Sequence, residues 1–189
     1  MEELGLILFV SRNKDNFGLP DFKQRKYQFL TNKAPDDPKN MDKFQDFVSK
    51  GVNGELSRYY YSVNKRDSRK IQKDVIHYLI DNNVNISKLD FLASRIAAKP
   101  ENRSENKWLF DFDIGLIAEH GTPKLDHFIE DIFEMSGDRD ILESISDTIT
   151  GYHIIVKHGF DTRILLEKYT NVELKRDDMR LISYMENTN

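Results

Sequence analysis

Residues 107–115 read KWLFDFDIG, an apolar and aromatic run that carries two aspartates two positions apart, Asp111 and Asp113. Its composition predicts a β-strand inside a sheet. Because successive strand side chains point to opposite faces, both aspartates project to one face, and Phe110 and Phe112 project to the other. The two side chains then stand about 6.5–7 Å apart along the strand. Like charges so close repel each other unless a cation lies near them.

A divalent cation is one solution to this repulsion. Mg²⁺ and Mn²⁺ take carboxylate oxygens and keep water or phosphate as their other ligands. The alternative is an edge strand whose polar face meets water, which a lone D-x-D pattern also describes. The choice between the two depends on what the rest of the chain supplies.

Composition sets the class of protein. The chain has 189 residues, 39% of them hydrophobic, which is enough for one sizeable core, and we expect a single domain over residues 1–189. No apolar run reaches the roughly 18–20 residues of a membrane span, and MEELGLILFV lacks the basic start of a signal peptide, so we expect a cytoplasmic protein without membrane contact. The absence of cysteine excludes a thiolate zinc site and a cysteine nucleophile. A net charge of −4 argues against coating nucleic acid by bulk electrostatics, so such contacts would be local, weak or transient.

Hydrophobic periodicity divides the chain into strands and helices. Strands are predicted at residues 4–13, 56–66, 107–115, 141–146 and 151–159, with a hairpin over 171–185 turned at Asp177 and Asp178. Helices are predicted from a cap at Asn40 or Asp42 to residue 48, at 68–81, at 87–98, from a cap at Thr122 to Gly137, and at 161–169. Residues 14–39 are predicted to be a long mobile loop with a short strand at 27–31. This order indicates an α+β domain with a largely antiparallel sheet packed with helices.

A second polar motif lies in TGYHIIVKHG, residues 150–159. Alternation puts His153 and Lys157 on one face of the predicted strand. An imidazole and an ammonium near Gly151, which would let a ligand approach the backbone closely, suit phosphate oxygens. A packed or solvent-facing histidine is the alternative interpretation.

A third motif is NVELK, residues 171–175. Val172 and Leu174 point one way along this strand, and Glu173 and Lys175 point the other way. Taken alone, Glu173 is an ordinary surface residue.

The order of the three motifs resembles that of the archaeo-eukaryotic primase superfamily, the primase-polymerases. That family has a strand with hydrophobic-D-x-D, then a strand with a small residue shortly before a histidine, and a last strand with an acidic residue before a hairpin. The matching stretches are WLFDFDI, TGYHIIV and NVELKRDDMRLIS, within a catalytic-core-like region of about residues 56–185. The resemblance implies an RRM-like primase-polymerase core and is greatest to small stand-alone phage proteins, which would act in the host cytoplasm.

The resemblance implies roles for ten residues. Asp111, Asp113 and Glu173 would be catalytic and hold Mg²⁺ or Mn²⁺. Thr150, His153 and Lys157 would contact the triphosphate of an incoming nucleotide. RYYYSVNKR resembles the basic, aromatic strand found upstream in such domains, and its candidates for contacting single-stranded or primed nucleic acid are Arg58, Tyr60, Lys65 and Arg66.

The resemblance predicts a nucleotidyltransferase, a DNA-directed primase or polymerase, that binds nucleoside triphosphate and acts in phage-type DNA replication or repair. The chain departs from the family by carrying Glu173 where Asp is usual and by lacking Pro-Pro-Ser after the last predicted hairpin. Two alternatives stay open. One is a non-catalytic descendant that binds a nucleotide or nucleic acid, or inhibits a replication factor through protein contacts. The other is a metal-dependent nuclease that uses the same carboxylates.

Overall fold

A computed structural model describes residues 2–83, 85–113 and 125–188 of the chain. By the density of its internal contacts the chain divides into two compact units: unit 1 is Met1–Glu105 with Met179–Asn189, and unit 2 is Asn106–Asp178. The expectation of a single domain over residues 1–189 stays a prediction. None of the helices in the described ranges combines the length and apolar character needed to cross a membrane.

The described residues form nine strands and five α-helices. The strands are β1 (Glu3–Ser11), β2 (Arg25–Thr31), β3 (Leu56–Ser62), β4 (Arg66–Asp67), β5 (Trp108–Asp113), β6 (Leu142–Asp147), β7 (Gly151–Val156), β8 (Val172–Lys175) and β9 (Met179–Glu186). The α-helices are α1 (Pro38–Ser49), α2 (Ser68–Asp81), α3 (Leu89–Ala97), α4 (Leu125–Ser136) and α5 (Arg163–Lys168). All strand pairs are antiparallel, which confirms an α+β chain with antiparallel sheets packed with helices.

Unit 1 is built on a sheet with strand order β2-β1-β3-β9, and β4 also pairs with β1. Alternation along β1 sends Ile7 and Phe9 into a cluster with α1, while Leu6 packs into a second cluster with α2 and α3. The sheet is therefore covered by helices on both faces. The strand β2 occupies the segment predicted as a mobile loop with a short strand at 27–31, and it begins two residues earlier than that strand.

Two helix starts differ in how well the sequence predicted them. The bounds of α2 are those predicted, and Asp67 caps it by accepting from the backbone N–H groups of Arg69 and Lys70 at 2.9 and 3.3 Å. The cap predicted for α1 at Asn40 or Asp42 is wrong, because Asp37 caps the helix from a position just before Pro38. Proline suits the first helical position, where its missing N–H costs nothing, so the helix begins there.

Unit 2 is a four-stranded sheet with order β6-β7-β5-β8. Its apolar face packs against α4 and α5 around two fully buried rings, Phe110 and Phe128, whose centroids are 5.5 Å apart. The helix α4 is followed by Gly137, whose φ of +69° ends it in the left-handed region. The cap predicted at Thr122 lies outside the described residues.

The hairpin predicted over 171–185 is wrong. The strand β8 pairs with β5 in unit 2, whereas β9 pairs with β3 in unit 1. Val172 and Leu174 pack in the core of unit 2, while Met179 packs in that of unit 1. Because burial of these apolar side chains outweighs the local turn signal at Asp177 and Asp178, the two strands pair with different partners.

Candidate functional site

The second face of the unit 2 sheet brings together polar residues from all three motifs. In register, Asp111 of β5 lies directly opposite His153 of β7 on one side and Glu173 of β8 on the other. Residues directly opposite on antiparallel strands have Cβ atoms about 4.5–5.5 Å apart. Ser146 of β6 lies opposite His153 and extends the line. We call Ser146, His153, Asp111 and Glu173 the polar row.

The sequence builds this row by simple alternation. Phe110 and Phe112 are fully buried against the helices of unit 2, so Asp111 between them must face the other way. The same logic applies to His153, which precedes the buried Ile154, and to Glu173, which lies between Val172 and Leu174. Each residue was predicted on the polar face of its own strand, and the register aligns the three.

Asp111 has a different partner at each carboxylate oxygen. Nε2 of His153 lies 3.6 Å from Oδ1, and the ammonium of Lys175 donates to Oδ2 at 2.9 Å. The His153 side chain is 7% exposed and that of Asp111 is 30% exposed, so this part of the row is shielded from water. Asp111 is the member of the row that contacts both His153 and Lys175.

Lys175 was predicted on the same face as Glu173 but was given no role in the site. Besides Asp111, its Nζ lies 3.6 Å from Oε2 of Glu173 and 3.7 Å from Oδ2 of Asp178. Burial alone would lower the pKa of the Lys175 ammonium, but the hydrogen bond and the charge of Asp111 outweigh burial and raise that pKa. The signal was present in NVELK, because Lys175 follows Glu173 by two positions and so shares its face.

Asp113 lies at the end of β5, opposite Gly151, and is exposed. Its backbone is held by Asn171, whose Nδ2 donates to the Asp113 carbonyl at 2.8 Å. A Cβ placed on Gly151 would lie 1.9 Å from the carbonyl oxygen of Phe112. The expectation that this glycine makes room for a ligand is therefore corrected, because strand β5 itself takes up that space.

The remaining predicted phosphate contacts lie around β7. Thr150 is half-buried in the turn between β6 and β7, which is closed by a 2.8 Å bond from the Thr148 N–H to the Gly151 carbonyl. Lys157 follows the end of β7, and its ammonium pairs with Asp140 at 2.7 Å on the surface. Such exposed pairs are worth about 0–1 kcal/mol, so Asp140 does little to hold the Lys157 ammonium in place.

The four predicted nucleic-acid contacts belong to unit 1. Arg58 is held by Asp15 through bonds of 2.7 and 2.6 Å, and Tyr60 beside it is half-buried. Lys65 donates to the Tyr61 hydroxyl at 2.9 Å. Arg66 is 2% exposed, so its guanidinium lies inside the fold, and its assignment as a nucleic-acid contact stays a prediction.

Two hydroxyls on β6 are buried and lack hydrogen-bond partners among the described residues, those of Ser144 and Ser146. Ser144 lies opposite Ile155 and Ser146 opposite His153, so both are on the face that carries the polar row. Sequence reasoning missed them, although serines alternate with apolar residues in this strand.

A pocket of about 420 Å³ lies elsewhere in unit 2, against α4 and α5. Its lining residues are His127, Glu130, Asp131, Lys168 and Tyr169, and none of them belongs to the three motifs. Asp131 accepts from the Tyr169 hydroxyl at 2.6 Å and also pairs with Lys168. The carboxylate of Asp131 in this pocket is therefore already paired with groups of the protein itself.

In the ranges that the structure describes, three or more His, Asp or Glu side chains nowhere come together as a ready metal-ligand set. The donor chemistry of the row nevertheless fits a hard cation, since Asp111 and Glu173 are carboxylates on adjacent strands and Asp113 shares their face.

No protein-family model matches the chain, and neither a curated protein nor a solved structure matches it.

Proposed function

We propose that unit 2 carries a nucleotidyltransferase-type site, similar to that of a primase-polymerase, which binds nucleoside triphosphate together with Mg²⁺ or Mn²⁺. The observation that supports this most directly is the polar row. Residues separated by up to 62 positions in sequence, Asp111, His153 and Glu173, stand side by side on three adjacent strands. The alignment brings all three motifs onto one face of the sheet, as the proposed site requires.

Each residue of the site has a distinct task in this proposal. Asp111, Asp113 and Glu173 would hold the metal, which supplies neutralisation of phosphate charge during phosphoryl transfer. His153 is held close to Asp111 and orients it, and it offers an N–H to a phosphate oxygen. Lys157 adds a mobile positive charge for the distal phosphates.

Binding of nucleic acid is a proposal for unit 1. Arg58, Tyr60 and Lys65 combine positive charge with an aromatic ring, which suits a single strand or a primed template. Arg58 shares Asp15 with Arg12, so its charge is already partly neutralised. We therefore expect weak and strongly salt-dependent binding.

Calorimetric titration with MnCl₂ and a nucleoside triphosphate tests the site. We expect the unaltered protein to bind both, and Asp111→Asn with Asp113→Asn to remove Mn²⁺ binding because carboxylate ligands are lost. The control variant is Asp138→Asn with Asp161→Asn, which neutralises two exposed carboxylates of the same unit. If Asp111→Asn with Asp113→Asn binds Mn²⁺ as tightly as the parent and the control variant do, the metal site lies elsewhere.

The phosphate contacts are tested in the same titration. Hydrogen bonds to charged groups contribute about 1.5–3 kcal/mol, so His153→Ala or Lys157→Ala should weaken triphosphate binding roughly 10- to 150-fold. A control is Lys168→Ala, which removes an ion-paired lysine from α5. Unchanged affinity in both test variants would remove these residues from the site.

The second candidate is a non-catalytic descendant that binds a nucleotide or a replication factor without chemistry. The position of Lys175 favours it, because an ammonium already neutralises Asp111. A primed template with Mn²⁺ and deoxynucleotides separates the candidates. Extension supports the polymerase, shortening supports a nuclease, and binding without either reaction supports the descendant.

A further inference from the structure

The ammonium of Lys175 lies beside the polar row, close to two of the carboxylates that the proposed function assigns to a metal. Its Nζ lies within 4.0 Å of three carboxylates, those of Asp111, Glu173 and Asp178. Its side chain is 25% exposed, so water screens these contacts only in part. The lysine is supplied by β8, the same strand that supplies Glu173.

Both oxygens of Asp111 are engaged by the two neighbouring strands. Oδ2 accepts from Lys175 at 2.9 Å, and Oδ1 faces Nε2 of His153 at 3.6 Å. A cation that coordinates Oδ2 of Asp111 competes directly with the Lys175 ammonium for that oxygen, whereas Oδ1 has only the longer contact with His153. Because a metal ion and an ammonium repel each other, binding near Oδ2 requires Lys175 to move away.

We infer that Lys175 is an internal counter-ion that competes with divalent metal for Asp111 and Glu173, and that it thereby sets the metal affinity of the site. This inference rests on the metal-binding function proposed above. Without metal the ammonium offsets the repulsion between the carboxylates and keeps the row intact. With metal the ammonium leaves Asp111, so the metal binds more weakly than it would to the carboxylates alone.

Asp178 provides a place for the displaced ammonium. Its Oδ2 is 3.7 Å from Nζ, and it lies beyond the end of β8, outside the row of paired strand residues. Lys175 can therefore turn from Asp111 towards Asp178 without a change in the strand. Asp178 thus favours the metal-bound arrangement by holding the lysine away from the metal.

The test is the affinity for Mn²⁺ alone, measured by calorimetry on the full chain. Lys175→Met keeps the length of the side chain and removes its charge, and we expect it to bind Mn²⁺ about tenfold more tightly or better. Lys175→Arg keeps the charge and should show no such gain. The matched control, Lys168→Met, removes an ion-paired lysine of α5 and should bind as the parent does. Should Lys175→Met fail to fold, Lys175→Gln carries the same test.

A double-mutant cycle examines the role of Asp178. Asp178→Asn should weaken Mn²⁺ binding several-fold in the parent, because Lys175 then stays on Asp111. The same substitution in Lys175→Met should have a smaller effect, because the competing ammonium is gone. Equal effects in both backgrounds would show that Asp178 acts on the metal by charge alone.

The outcomes separate this inference from the proposed function. If the parent binds Mn²⁺ and Lys175→Met binds it no more tightly, the counter-ion role is overturned and the metal site stands. If Asp111→Asn with Asp113→Asn binds as the parent does, the proposed site itself fails. Tighter binding in Lys175→Met that disappears when Asp111→Asn is added supports both.

Discussion

Asp15 in unit 1 and Asp111 in unit 2 each contact two basic side chains, but the bonds differ. Asp15 accepts four hydrogen bonds from two guanidinium groups, at 2.8 and 3.1 Å from Arg12 and at 2.7 and 2.6 Å from Arg58. Asp111 accepts one bond from the Lys175 ammonium at 2.9 Å and has an imidazole nitrogen at 3.6 Å. Their side chains are 6% and 30% exposed.

The difference in partners indicates which of the two carboxylates is available to a ligand. A planar guanidinium matches both oxygens of a carboxylate at once, so two of them lock Asp15 in place. An ammonium is a single point charge on a flexible stem and can be replaced by another cation. The kind of partner therefore distinguishes Asp15, which two guanidinium groups hold in place, from Asp111, whose ammonium partner another cation could replace.

The largest expected effect comes from Asp15→Asn, which removes the carboxylate charge that two guanidinium groups share. The variant leaves Arg12 and Arg58 without their shared charge, and breaking a buried pair costs about 3–5 kcal/mol. We expect a loss near the lower end of that range in urea unfolding, because Arg12 is partly exposed. Asp46→Asn, which alters an exposed pair with Lys50, is the control and should change stability by less than about 0.5 kcal/mol. A small loss for Asp15→Asn would mean that its bonds stabilise little.

The pH dependence of unfolding sharpens the same comparison. Burial alone would raise the pKa of Asp15, but hydrogen bonds from Arg12 and Arg58 outweigh it and lower that pKa. A lowered pKa in the folded state contributes stability above the unfolded value of about 3.9, and that contribution is lost as the pH falls through the folded pKa. The stability difference between parent and Asp15→Asn should therefore shrink as the pH falls from about 5 through the lowered pKa of Asp15. A constant difference would contradict the assignment.

Gly151→Ala examines the end of the strand that carries Asp113. The added Cβ would lie 1.9 Å from the Phe112 carbonyl oxygen, so β5 and β7 must separate there. Overpacking of this kind costs about 1–3 kcal/mol. The control, Gly18→Ala, has open space around it and a φ of +85°, and it should cost only about 1 kcal/mol from its left-handed backbone. Equal losses in urea unfolding would mean that the close approach of the strands is unimportant.

The smallest expected effect is that of Asp111→Asn. This variant weakens one bond to Lys175 but also relieves repulsion from Glu173, so we expect a change in unfolding free energy below about 1 kcal/mol in either direction. Asp15→Asn, measured under the same conditions, provides the contrast. A loss as large as that of Asp15→Asn would mean that Asp111 serves the fold and would end the distinction drawn above.

The sequence predicted elements whose pattern is local. The helix α2 has its predicted bounds, and β6 and β7 pair around the turn that separates them. The sequence did not predict which face of α2 is buried. Ile76 and Ile80, both part of its apolar pattern, are 48% and 76% exposed, whereas Ile71 is buried. Periodicity indicates that a helix forms and leaves open which of its apolar residues meet the sheet.

Long-range pairing could not be predicted in the same way. The alternation in residues 171–185 fits a hairpin and also fits two strands in separate sheets, because both arrangements bury every second side chain. The faces of Asp111, His153 and Glu173 followed from their neighbours, but their alignment depends on strand order, which no local pattern carries. The same alternation placed Lys175 on the face of Glu173, but it did not predict the contact between Lys175 and Asp111.

The strand β9 has a consequence for how the chain folds as it is made. Its partner β3 is synthesised before any residue of unit 2, whereas Met179–Glu186 emerges after unit 2 is complete. At the roughly 5–20 residues per second of protein synthesis, β3 waits several seconds with one edge unpaired. Such an edge can recruit a wrong strand. We therefore expect a nascent chain stopped after Asp178 to contain an unfinished first sheet, and a chaperone that covers strand edges to increase the yield of folded protein.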